Sequence, residues 1–466
     1  MTDSPDSLLT GGYPPPETLP DLYDELDYQR ACQLYIWGTP AVGMEALSDG
    51  LASVSLPPDS TGTIGIFEHF LHPRTLVATG NGQSIYAIAN IDLSATGPVI
   101  VEVPGGLIGF IMSGWQQPLE DVGLLGPDKG QGGRFLLVPP GADVEVPDDV
   151  FVVRPDTFLV NCCMRGFLQD GKPDAAVAAL RTMRIHPLAD LVDPPPPQSR
   201  DLSGEPTTMV AVGDKIDGLG YFELLARFIA REPARDQDEQ FLALARSLGI
   251  APGQPFAPDE RLRGILTRAA RTGHAMVAAI AYVDRDGTRL RWPGQSAWEE
   301  VVTTSGIGDY MEDGYVDLDG RAALYYQAAG ASKSINLTTV GAGSKYAAVY
   351  KDATGAMLDG SRTYRLRVPA DVPAKNFWSV VAYDAETRSM IQTDVDITGR
   401  DSYQQTLTRN DDGSVDLYVG LTAPDEHADN WIPTKADVGF FLYFRWYGPL
   451  DAYFDKTWIL PDLEPL

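Results

Sequence analysis

Tyr364-Arg-Leu-Arg-Val368 sets Tyr364, Leu366 and Val368 in alternation with Arg365 and Arg367, the two-residue period of a strand with one buried face. Phe377-Trp-Ser-Val-Val-Ala-Tyr383 continues the β texture, and Val438-Gly-Phe-Phe-Leu-Tyr-Phe-Arg-Trp-Tyr447 predicts a long aromatic strand. Between them, Asn410-Asp-Asp-Gly413 supplies turn chemistry ahead of Val415, Leu417 and Val419, so a β-hairpin is expected there. From Lys345 onward the chain reads as β.

The period changes upstream. Phe222, Leu225, Ala226 and Ile229 fit the i, i+3, i+4, i+7 spacing of an amphipathic helix. So do Phe241, Leu244, Ala245 and Leu248, and again Leu262, Ile265, Leu266 and Ala269; a further helix is expected over Arg321 to Ala331. Ala175 to Ile185 reads as helical, and Pro194 to Pro197 as a stiff spacer. From Thr63 to about Leu168, short β-prone runs such as Val99-Ile-Val-Glu-Val103 alternate with Gly/Pro turns, which suggests an antiparallel sandwich. At the start, Asp21 to Trp37 predicts a helix ended by Gly38 and Pro40, after a flexible tail carrying Pro14, Pro15, Pro16 and Pro20. The fold class is therefore mainly β with a helical middle. The expected division is a tail over 1–20, a helix with a β domain over 21–200, a helical insert over 201–335 and a second β domain over 336–466.

A chain of 466 residues supports two or three cores, and 44% hydrophobic with 21% charged residues is a globular balance. The formal net charge of −28 repels nucleic-acid phosphates and anionic lipid, so neither nucleic acid nor membrane is an expected partner. An anionic ligand would need a local basic pocket working against that field. Met1 to Pro20 has no basic and apolar leader pattern, and no apolar run reaches the roughly 20 residues of a membrane span, so a cytoplasmic protein is expected. Cys32, Cys162 and Cys163 form neither a disulfide framework nor a zinc pattern.

Motifs that carry chemistry are sparse. Glu68-His69-Phe70-Leu71-His72 lacks the HExxH and HxxEH orders, and Pro73 argues against a helix holding both histidines on one face. Asp309, Glu312, Asp313, Asp317 and Asp319 form an acidic run that could take calcium or magnesium, although such runs are usually solvated loops. Gly123, Gly126, Gly130, Gly132 and Gly133 lack a following Walker lysine and read as a loop beside a pocket. Trp115 with Gln116 and Gln117, and Asn430 with Trp431, are aromatic-amide clusters suited to lining a polar pocket.

The order Asp352-Ala-Thr-Gly355, Tyr364-Arg-Leu366, Asn376-Phe-Trp-Ser379, Tyr383-Asp384, Asn430-Trp-Ile-Pro-Thr434, Arg445-Trp-Tyr-Gly448 and Trp458-Ile-Leu-Pro461 resembles a bacterial family of paired domains of unknown function, numbered 1254 and 1214. In the N-terminal half, Trp37-Gly-Thr-Pro40 and His72-Pro-Arg74 are similar to that family. Its Asn-x-Asp-Thr-x-Tyr stretch stands here as Asn81-Gly-Gln-Ser-Ile-Tyr86, with Gln83 in place of the acid; an amide neither ionises nor abstracts a proton. The resemblance implies an immunoglobulin-like sandwich, a helical insert and a C-terminal jelly-roll sandwich. It also implies, for some relatives, hydrolysis of phosphorylated small molecules with calcium as an aid.

Two functions are carried forward. The first is a hydrolase of a small polar or phosphorylated substrate, with its pocket between the β domains: His72 as general acid/base, Arg74 and Arg445 as anion clamps, Asp384 as base or cation ligand. Asn81, Tyr86, Trp115, Asn430, Trp431 and Tyr447 would position the substrate. The second is a non-catalytic carbohydrate- or small-ligand-binding protein. Convergence decides between them: His72, Arg74 and Asp384 in one cleft favour the enzyme, and scattered positions favour binding. Homo-oligomerisation is left open.

Overall fold

The structure, a computed structural model, describes residues 8–166, 168–169, 172–302, 310–312, 314–336, 338–397 and 399–466. It is mainly β with a helical middle. The N-terminal β half pairs a six-stranded sheet, in the order Gln198–Asp201, Thr63–Ile66, Ile85–Asp92, Leu159–Gly166, Ile108–Ser113, Pro118–Val122, with a four-stranded sheet built on Val99–Pro104 and Gly132–Leu137. The C-terminal half pairs a five-stranded sheet, Glu299–Glu300, Ser344–Val349, Phe440–Pro449, Ala374–Asp384, Gly399–Asp401, with a four-stranded sheet centred on Tyr364–Val368 and Val415–Gly420. Pairing is mostly antiparallel, but Thr63–Ile66 pairs Gln198–Asp201 in parallel, and three other pairs among the described strands are parallel too.

The Asn410 turn forms as expected, with Gly413 at φ +82 and its N–H donating to the Asn410 carbonyl at 2.9 Å. It does not join a local hairpin: Val415–Gly420 pairs with the distant Tyr364–Val368 strand instead. Helix Leu219–Arg231, helix Glu239–Ser247 and helix Glu260–Tyr282 coincide with the three amphipathic repeats. Asp174–Leu180 is helical, but Arg184–Pro187 turns to strand, and the helix placed over Arg321 to Ala331 is Leu318–Gln327, followed by an irregular strap.

The first helix departs most from expectation. It runs from Leu19 to Ser53, straight through Gly38 and Pro40. A proline inside a helix removes one ladder bond and crowds the carbonyl four residues back. Here side chains from other elements take up nearby carbonyls: Tyr221 Oη donates to Tyr35 O at 2.5 Å, Arg321 Nη2 to Trp37 O at 2.9 Å and Gln116 Nε2 to Pro40 O at 2.8 Å. Pro20, expected in a flexible segment, sits in the first helical turn, where a missing N–H costs nothing. The first part of the helix packs with the helical middle, where Trp37, Leu34 and Ala41 share a core with Phe222, Leu225, Leu266 and Ala322, while Met44 and Leu47 further along meet the first β half. Glu45, fully buried on it, is held by Arg227 and Arg231.

Each large sheet has both faces covered. In Phe440–Pro449, Leu442, Phe444 and Trp446 fill the C-terminal interior, while Phe441 and Tyr443 join a second core shared with Met44, Leu47, Met112 and Leu159. That second core lies in the seam between the two β halves and the first helix, which is why the aromatic strand shows no polar face.

Candidate functional site

A cavity of about 620 Å³ opens in this seam. Its position follows from strand periodicity. In Ile85–Asp92 and Leu159–Gly166, Ile85, Ala87, Cys162 and Met164 pack into the N-terminal interior, so Tyr86, Ile88, Cys163 and Arg165 turn to the seam. Across it, Ser344, Tyr346, Tyr443, Arg445 and Tyr447 present the corresponding face of the C-terminal sheet. Each wall carries a cross-strand tyrosine-arginine pair, Tyr86 opposite Arg165 and Tyr346 opposite Arg445.

Two connecting segments close the sides. The 77–84 loop reaches the C-terminal sheet, where Asn81 Nδ2 donates to Tyr447 Oη at 2.7 Å and Tyr383 Oη donates to Gly80 O at 2.7 Å. The strap over 328–335 is tied to the N-terminal sheet: Gly330 N donates to Gln116 Oε1 at 2.9 Å, and Lys333 N and Ser334 N donate to the two Asp121 oxygens at 2.9 and 2.8 Å. Burial pushes the Asp121 carboxyl up, against the lowering effect of the Ser334 and Lys333 bonds. Exposed Leu124, Lys375, Asn376 and Tyr403 mark the mouth, and Tyr403, Phe377 and Tyr447 stack in sequence inward, with ring centroids 4.6 and 3.8 Å apart.

Arg445 is the most constrained group. It is 3% exposed, donates through Nη2 to Thr79 O at 3.0 Å, and lies 5.4 to 5.7 Å from the rings of Tyr443, Tyr383 and Tyr346. Its Nη1 has no hydrogen-bond partner, and neither Arg445 nor Arg165 has a carboxylate partner among the described residues. Burial works to discharge both guanidiniums, but the surrounding tyrosines outweigh it and raise both pKa values, so both remain cations. Burial pushes the Cys163 thiol up to about 12, with Arg165 opposing it, which leaves no thiolate nucleophile. Gln83 Oε1, Asn161 Oδ1 and Ser344 Oγ also line the cavity without partners.

Of the ten residues proposed from sequence as catalytic or substrate-binding, Arg445, Asn81, Tyr86 and Tyr447 line this cavity, and the other six do not. His72 Nε2 pairs with Asp396 at 2.6 Å on the surface, with exposed Arg74 beside it. Asp384 caps the turn that follows its strand, accepting from Glu386 N and Thr387 N at 2.8 and 2.9 Å. Trp115 lies in the helical core between Trp37 and Phe228, with the Arg235 guanidinium 4.3 Å from its ring. Asn430 and Trp431 brace the outer C-terminal sheet, Asn430 by bonds to Thr408 and Asp416 and Trp431 by its indole N–H to Gly420 O. His72, Arg74 and Asp384 therefore do not converge on the cavity.

Arg165 escaped the sequence reading. Its signal was available: like Arg445, it is a charged residue set within an apolar strand, Val160-Asn-Cys-Cys-Met-Arg165. The acidic run yields no cation site on the described residues: Asp309 and Asp313 lie outside them, and Asp317 caps helix Leu318–Gln327 through Gly320 N. Among the described residues no group of three or more His, Cys, Asp or Glu is placed to hold a metal ion, and no helix is long and apolar enough to cross a membrane. The glycine-rich loop does lie beside the cavity, lining it with Leu124 and Leu125. Buried Asp128 organises it by accepting from Gly123 N and Gly132 N.

No curated protein matches the chain. The structure is similar to that of the VPA0106 protein from Vibrio parahaemolyticus, with a TM-score of 0.56 and 20% identity over 94% of this chain and 100% of that one. That likeness supports the fold. A putative uncharacterised protein from Burkholderia cenocepacia gives a TM-score of 0.42 and 13% identity over 97% of this chain and 96% of its own. Residues 61–187, which span most of the N-terminal wall of the cavity, match the protein of unknown function model DUF1254, and residues 343–451, which carry Tyr346, Arg445 and Tyr447, match DUF1214. The chain thus carries a DUF1254 domain followed by a DUF1214 domain.

Proposed function

We propose that this chain is a small-molecule-binding protein whose ligand occupies the cavity between its two β halves. The observation that carries the reading is the cavity itself: about 620 Å³, mainly apolar, with a few unpartnered polar atoms on its walls. Ligand sites typically occupy about 300–1,000 Å³ and combine these two features. The absence of His72, Arg74 and Asp384 from the cavity lining favours binding over the hydrolase reading.

The test is titration of the full chain with a neutral apolar dye, N-phenyl-1-naphthylamine, followed by its fluorescence. Saturable binding is expected. Ile88→Trp, which fills the cavity from the N-terminal wall, should weaken it by about tenfold or more while leaving the circular dichroism spectrum unchanged. Dye binding unaffected by that substitution would place the ligand elsewhere and sink the proposal.

A further inference from the structure

Burying a cation without a counter-charge is costly, and proteins usually pair such groups or leave them in water. The cavity holds two cations without a carboxylate partner among the described residues, the buried Arg445 and the half-buried Arg165, delivered by different β halves. Arg445 is 3% exposed, keeps Nη1 unpartnered and meets only neutral acceptors, the Thr79 carbonyl and the Tyr383 hydroxyl. Asp121, the acid among the cavity-lining residues, is committed to the strap through Lys333 N and Ser334 N. Next to Arg445, the Tyr447 hydroxyl accepts from Asn81, which leaves its own proton to donate. The free acceptors on the walls, Gln83 Oε1 and Asn161 Oδ1, are neutral amide oxygens, so the cations and donors meet no negative charge among the described residues of the cavity.

The rest of the cavity is apolar, with Ile88, Phe110, Met112, Val122 and Leu125 on its surface. At the mouth, exposed Lys375 is a local positive charge on a chain of net charge −28.

From this we infer that the ligand is an amphipathic oxyanion: a carboxylate or phosphate head held between Arg165 and Arg445, with an apolar body lying along the seam. The planar guanidinium forks suit such a head, because each offers two parallel N–H donors to two oxygens. Because one arginine comes from each half, the ligand bridges the two β halves. The inference rests on the binding reading above and specifies its chemistry.

The experiment uses isothermal titration calorimetry on the full chain with decanoate, decyl phosphate and decanol, alongside Arg165→Gln, Arg445→Gln and the neutral dye. At least one of the two anions should bind about tenfold or more tightly than decanol, and the stronger of the two identifies the head. Each glutamine variant should lose about tenfold for that anion while keeping dye binding within about twofold. If Arg445→Gln does not fold, Arg165→Gln, whose side chain is only half-buried, gives the same comparison. Decanol binding as well as both anions, or anion affinity unchanged in Arg165→Gln, overturns the oxyanion assignment and leaves the cavity reading standing. Failure of every decyl compound and of the dye overturns the cavity reading itself.

Discussion

Replacing Glu299 by glutamine should stabilise this protein at alkaline pH and do little at acid pH. Glu299 lies on the Glu299–Glu300 strand at the edge of the C-terminal sheet, opposite Ala348 and 7% exposed. Its Oε2 is 2.9 Å from Arg289 Nη2, an ion pair that opposes the cost of burial without cancelling it. Burial therefore prevails: it lifts the carboxyl from 4.5 to about 7, with Arg289 pulling it down and Asp284 pushing it further up. Between those values the native protein holds a proton that the unfolded chain has released, so wild-type stability falls as pH rises through that window. At about 1.4 kcal/mol for each pH unit, the loss is on the order of 3 kcal/mol once Glu299 is fully ionised. Glu299→Gln does not titrate, so urea denaturation should show wild type and variant nearly equal at about pH 5, and the variant ahead by on the order of 2–3 kcal/mol at about pH 8. A variant whose deficit instead grows with pH would mean that the Arg289 ion pair outweighs desolvation, and the reasoning would be wrong.

Other expectations follow from single contacts. Tyr447→Phe removes the acceptor of Asn81 Nδ2 at 2.7 Å across the seam and should cost about 1–2 kcal/mol; in a double-mutant cycle with Asn81→Ala the two losses should overlap rather than add. In helix Glu260–Tyr282, a Cβ at Gly273 would lie 2.4 Å from the Tyr35 ring, which is pinned by its bond to Ile216 O and by stacking on Tyr221. Gly273→Ala should therefore lower the melting temperature, its overpacking cost of about 1–3 kcal/mol exceeding the gain of about 1 kcal/mol in helix propensity. His72→Ala and Arg74→Ala remove an exposed surface cluster and should leave calorimetric ligand affinity within about twofold; a larger loss would tie that surface to the site.

Much of the architecture was legible in local pattern. Phe222, Leu225, Ala226 and Ile229 repeat at helical spacing because one side of that helix must meet a core, and Tyr364, Leu366 and Val368 alternate because one side of that strand must. Pro40 misled for a tertiary reason: the carbonyls around it are taken up by Tyr221, Arg321 and Gln116, none of them close to it in the chain. The Asn410 turn was readable from four residues, while the strand that pairs beyond it was not.

For the site, composition already required that any anionic ligand meet a local basic pocket, and Arg445 stood out as a charge inside an aromatic strand. His72, Arg74 and Asp384 looked chemical by residue type, but their positions are a surface pair and a turn cap. The amino-acid order by itself determined which segments alternate and which coil, since those are contests between near neighbours. It could not determine what covers the second face of each sheet. Only the stacking of the two halves across the seam brings Arg165 and Arg445 to one cavity, because that depends on how whole sheets pack and on no spacing within either strand.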